Sequence, residues 1–148
     1  MITVDELFRQ VDTTQGASDD EIAAVERTIA GGLPDDLKQF FGRSNGFEGT
    51  IEPDGYMRLW PVEDVPSANE GYKVSEFLGE VVLIGSSGGG MGYGFMWIGL
   101  KPVYFSVPWD SMSPKWITTL GGTFLELVER VRFGTDFQPD LEHSPLEI

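Results

Sequence analysis

Residues 33–46 read Leu33-Pro34-Asp35-Asp36-Leu37-Lys38-Gln39-Phe40-Phe41-Gly42-Arg43-Ser44-Asn45-Gly46. A proline is tolerated in a first helical turn, and the two acids complement the positive end of the helix dipole. Leu37, Phe40 and Phe41 then form an apolar stripe, so the stretch predicts a helix that Asn45-Gly46 stops. Working back toward the N-terminus, Ser18 and Glu21 have the spacing of a capping box ahead of Ile22, Val25 and Ile29, which predicts a helix ended by Gly31-Gly32. An earlier helix over about residues 3–11 places Val4, Leu7, Phe8 and Val11 on one face. Near the other end, Thr123 and Glu126 repeat the capping device before Phe124, Leu127, Val128 and Val131.

Between the third and fourth helices, strands are predicted at 56–60, 80–85, 94–98 and 102–107. Gly99-Leu100-Lys101 is short enough to join the last two as an antiparallel hairpin. A short helical turn is expected over Pro61–Val65. Helices flanking a run of antiparallel strands define an α+β class.

The 148 residues carry a net charge of −14, with a sequence pI of about 4.2. This length suits one domain, expected over 1–133, followed by an acidic tail at 134–148. With 41% hydrophobic residues and 18 aromatics the chain is too apolar for a disordered acidic segment. Such a surface repels nucleic-acid phosphates and anionic membranes, and attracts basic partners. Zero cysteines exclude disulfides, a thiol nucleophile and thiolate metal sites. The N-terminus lacks a signal-peptide pattern and no stretch approaches a membrane span, so a cytoplasmic location is expected. The charge is uneven: residues 1–80 hold 17 acids and 6 bases, whereas residues 81–125 hold one acid, two bases and nine glycines.

The glycine-rich stretch Gly85–Gly94 invites a phosphate-loop reading, but it has neither G-x-G-x-x-G nor G-x-x-x-x-G-K-[ST] spacing, and a strand pattern follows it where a nucleotide loop opens a helix. A loop between strands is the better reading. Asp19-Asp20 and Asp35-Asp36 sit in first helical turns, where acids cap rather than catalyse. Glu48, Glu52, Asp54, Glu63, Asp64 and Glu70 cluster around a predicted strand and form the candidate partner-binding acids. His143, the only histidine, lies in the tail. No metal site and no cofactor are expected, since a carboxylate-only site would need a spacing that is not present. Most Trp and Tyr residues are assigned to the core; Trp109 and Trp116, in the loop Pro108–Trp116, are the aromatic candidates for a partner contact.

The order of these signals is distinctive: the helix with Asn45-Gly46, then Leu59-Trp60-Pro61-Val62-Glu63-Asp64-Val65, then Asn69-Glu70-Gly71-Tyr72, then Ile84-Gly85 before a glycine turn ending Tyr93-Gly94-Phe95, and the closing helix around Phe124-Leu125-Glu126-Leu127. Over about residues 18–132 the chain resembles the SUKH superfamily, in particular its Smi/Knr cell-wall-regulator-like branch. The resemblance implies a twisted, mostly antiparallel sheet flanked by helices from both ends of the chain, with no shared catalytic residues. Many bacterial members are immunity proteins that neutralise polymorphic toxins, often nucleases, and fungal relatives are regulatory interaction proteins. Joined to the charge, it implies a non-enzymatic protein whose partner is a cognate toxin, a basic nuclease domain above all. A regulatory scaffold or peptide-binding module of the same fold is the alternative.

Overall fold

Seven strands lie in chain order across one antiparallel sheet: β1 (Asp12–Thr13), β2 (Phe47–Ile51), β3 (Gly55–Leu59), β4 (Val82–Ser86), β5 (Met91–Ile98), β6 (Lys101–Pro108) and β7 (Thr118–Gly121). The structure is a computed structural model and describes residues 1–137. Six helices complete it: α1 (Val4–Gln10), α2 (Asp19–Glu26), α3 (Asp35–Arg43), α4 (Val65–Gly71), α5 (Val74–Phe77) and α6 (Phe124–Arg132). The α+β class expected from the sequence is the class found. Helices α2 and α3 fill the connection from β1 to β2, and α4 and α5 the connection from β3 to β4.

The sheet has two unequal faces because strand side chains alternate. On β6, Tyr104 belongs to the main core, while Phe105 and Val107 belong to a smaller one. The main core joins Leu7 of α1, Leu37 and Phe41 of α3, and Phe124, Leu127 and Val128 of α6 to Met57, Leu59, Tyr93 and Phe95. The smaller cluster puts Val74 and Leu78, in and just after α5, against Leu83, Phe105 and Val107, with Trp60 and Trp109 at its margin.

Several expected elements shift. Helix α2 stops at Glu26, where the Thr28 hydroxyl donates to the Val25 carbonyl (2.7 Å) and ends the helix before Gly31-Gly32. The glycine stretch is mostly strand: β4 runs to Ser86 and β5 begins at Met91, leaving Ser87–Gly90 as the turn. Glycine suits Gly92 because the indole of Trp109 lies where a Cβ would be, 2.8 Å from its nearest atom. Strand β2, which carries Glu48, was expected as loop; its polar Glu48, Gly49 and Thr50 hide the pairing of Phe47 with Leu59 and of Ile51 with Gly55. The helical turn expected at Pro61–Val65 is a 3-10 turn (Val62–Asp64) continuing directly into α4.

The tail expected over 134–148, with His143, lies outside the described residues from residue 138 onward. Its first residues pack on the sheet: Tyr93 donates to the Asp136 carboxylate (2.6 Å), Ser106 donates to the Asp136 carbonyl, and the Thr135 amide donates to the Arg130 carbonyl.

Candidate functional site

The smaller sheet face is open along β2 and β3. In β3 Met57 and Leu59 enter the core, so Tyr56 and Arg58 point the other way. Arg58 stands opposite Glu48 in the register, and its guanidinium donates to the Glu48 carboxylate (2.9 Å), which also accepts from the Tyr56 hydroxyl. Arg58 first, then Tyr56, holds the Glu48 carboxyl below the usual carboxylate range.

Asn45-Gly46 sets the near end of this hairpin. The Asn45 carbonyl oxygen accepts from the Val62 amide (2.7 Å) and its amide group donates to Glu63 (2.7 Å), so one side chain caps the 3-10 turn. Gly46 has φ +89°, and a Cβ there would lie 2.6 Å from the Leu59 carbonyl oxygen; the position needs glycine on both counts.

Helix α4 is fastened to the sheet by Asn69. Its side chain accepts from the Leu83 amide and donates to the Leu83 carbonyl, both at 2.8 Å, and donates to the Val65 carbonyl at 2.8 Å. The register between β3 and β4 covers Arg58–Ser86 and Leu59–Gly85, so the asparagine takes the place of a neighbouring strand where β3 has turned away. Beyond α4, Lys73 takes a left-handed conformation (φ 55°), a bend between Tyr72 and α5.

Tyr72 is thereby placed between two tryptophans. Its ring stacks on Trp109 with centroids 4.6 Å apart and planes 24° apart, and on Trp60 at 6.2 Å and 13°. These rings wall an open groove of about 640 Å³ whose lining also includes Phe77, Met112, Arg58, Ser86 and Asp110. Tyr72 and Phe77 are each about half exposed (49%), unusual for large aromatics on a folded domain. Arg58 and Asp110 are exposed; Asp110 accepts from the Ser111 hydroxyl at 3.3 Å.

The predicted contact residues fall into several places. Glu52 and Asp54 are exposed in the β2–β3 turn, where the Glu52 amide donates to Gln10 and the Asp54 amide to the Arg132 carbonyl. Glu63 and Asp64 are exposed at the other end of that hairpin, about 15 Å away for five strand residues, with Glu48 between. Glu70 edges a separate, more apolar cavity of about 500 Å³ bounded by α4, α5, β4 and β5. Among these six acids, within the described residues, Glu48 alone is in an ion pair. Trp109 lines the aromatic groove, whereas Trp116 lies in a following 3-10 turn (Pro114–Trp116) outside its lining. Sequence reading missed Tyr72, Trp60, Phe77 and Arg58 as a group. Tyr72 just ahead of a short helix and Phe77 at its end were the one legible sign.

Among the described residues no three His, Cys, Asp or Glu side chains converge as metal ligands, and no helix is long and apolar enough to cross a membrane. The model of the SMI1 / KNR4 family (SUKH-1) matches residues 16–116. The matched segment runs from α2 through β6 and contains the whole aromatic groove; β7 and α6 lie beyond it. No curated protein matches the chain.

Proposed function

The chain belongs to the SMI1 / KNR4 family (SUKH-1), a family known for immunity proteins and related regulators, and on that premise we propose that it is a cytoplasmic, non-enzymatic immunity protein that binds a basic toxin domain, a nuclease above all, and occludes its substrate groove. The observation that carries this reading is the charge of −14, together with the exposure of Glu52, Asp54, Glu63, Asp64 and Glu70, which bear no ion pair among the described residues. Acids spread along and around one hairpin mimic a phosphate backbone and steer a basic groove into encounter.

The test begins at the neighbouring genes: a toxin-bearing reading frame beside this one supports the immunity reading and supplies the toxin domain as probe, and its absence favours the second reading below. Replacing Glu52, Asp54, Glu63 and Asp64 together by Lys is expected to slow association by about tenfold or more and to flatten its dependence on salt. Unchanged association by a folded variant removes these acids from the interface. A second reading, a peptide-binding regulatory module, is favoured by the half-exposed aromatic groove that includes Trp109. It predicts partner binding that depends only mildly on salt and is lost when Trp109 or Tyr72 is replaced.

A further inference from the structure

The groove walled by Trp60, Tyr72 and Trp109 has a chemistry of its own. The Trp60 and Tyr72 ring centroids are 6.2 Å apart at 13°, against 4.6 Å for Tyr72 and Trp109, so Trp60 does not pack on the Tyr72 ring as closely as Trp109 does. The Trp60 side of Tyr72 is thus the less closely covered one, and Tyr72 is half exposed. Bare π faces attract a cation, a planar one best of all because it also stacks.

The charges in the groove agree. Its own base, Arg58, is neutralised by Glu48 at 2.9 Å, which removes the repulsion that a second cation would meet. Asp110 stands exposed in the lining with no ion pair among the described residues. The groove thus offers aromatic faces, one unneutralised carboxylate and a surrounding field set by the −14 chain.

We infer that this groove receives an arginine side chain from an extended segment of a basic partner protein, the guanidinium lying on the exposed aromatic faces and pairing with Asp110. The inference rests on the partner-binding reading above and adds the site's ligand chemistry to it. A nucleobase also stacks on such rings, but its phosphates meet a strongly acidic protein.

The test needs no toxin. The ¹⁵N-labelled full chain is titrated with the capped peptide Gly-Ser-Arg-Ser-Gly and followed by NMR. The expected result is a saturable shift of the Trp60 and Trp109 indole N–H signals while those of Trp97 and Trp116 stay in place. The citrulline peptide, equal in shape but uncharged, is expected to bind at least severalfold more weakly. Asp110→Asn is expected to weaken the arginine peptide severalfold, and Tyr72→Leu, which keeps apolar bulk without a π face, to abolish the shift with the remaining spectrum intact. No saturable shift overturns the inference. So does equal binding of the citrulline or a phenylalanine peptide, which makes the groove an apolar site, and so does preferential binding of a short single-stranded oligonucleotide. Failure here leaves the salt-dependent toxin association untouched, whereas absence of toxin association with retained peptide binding rejects the immunity reading and leaves the groove standing.

Discussion

Asn69 satisfies both backbone groups of Leu83 with a single side-chain amide, at a point where the sheet has lost a neighbour. Leu83 is fully buried, so removal of the amide strands an N–H and a C=O that water does not reach. Asn69→Ala is expected to destabilise the fold by about 2–4 kcal/mol in urea denaturation. Asn69→Asp should recover little, since a carboxylate accepts from the Leu83 amide but faces its carbonyl without a proton to donate. Because the same residue anchors α4, the stack of Tyr72 on Trp109 should loosen in parallel, visible as a loss of near-UV circular dichroism. The four-residue run Asn69–Tyr72 was legible as a signature in the sequence. Its purpose was not, because the partner is backbone fourteen residues away and carries no side-chain signal.

Among the elements, helix starts were the most legible because caps are local. Ser18 and Glu21 form the capping box read from their spacing, and the Thr123 hydroxyl accepts from the Glu126 amide (3.2 Å) at the head of α6. Asp36 goes further than its first-turn position suggests. Its carboxylate accepts from the Tyr104 hydroxyl (2.8 Å) and from the Phe124 amide (2.7 Å), tying α3 to β6 and to the start of α6. Burial, and then the Asp36 charge, push the Tyr104 phenol well above its ordinary value, which keeps it a donor. Asp36→Ala is expected to cost about 2–4 kcal/mol, against about 1 kcal/mol for Tyr104→Phe, which removes one bond and leaves the Phe124 amide served. Equal losses from the two variants, measured by chemical denaturation, remove the link to α6 from the account. Strands β1, β2 and β7 and helices α4 and α5 escaped sequence reading. Each is short, and three contain Gly or Pro inside the element, so pairing and packing rather than propensity hold them.

Over the whole molecule, acid should destabilise the protein in part through a few named carboxylates. Glu21 in its capping box, Glu48 beside Arg58 and Tyr56, and Glu129 are all held below the ordinary value of 4.5. For Glu129 burial acts upward, but hydrogen bonds from Arg132 and the Ile2 amide outweigh it. A depressed folded value means stability that is present above about pH 4.5 and lost as the pH falls through the lowered folded values. Self-repulsion among 24 acids acts oppositely, easing toward the pI of about 4.2, and salt screens it. In about 0.2 M salt the urea midpoint is therefore expected to fall between about pH 5 and pH 3, and to fall less in Glu48→Gln. A midpoint that rises over that range would assign the pH dependence to net charge instead.

The sequence by itself determined the α+β class, the four principal helices, two of them with their N-caps, the hairpin of β5 and β6 and the family, because apolar period, caps and turn residues are written within a few neighbouring positions. The tertiary structure alone decided which face of the sheet stays open. It divided the acids between the two ends of one hairpin, neutralised Arg58 with Glu48 and brought Trp60, Tyr72 and Trp109 into one wall. Those positions are scattered over residues 48–110, and their proximity depends on strand register and on where β3 leaves β4, neither of which any local run of residues encodes.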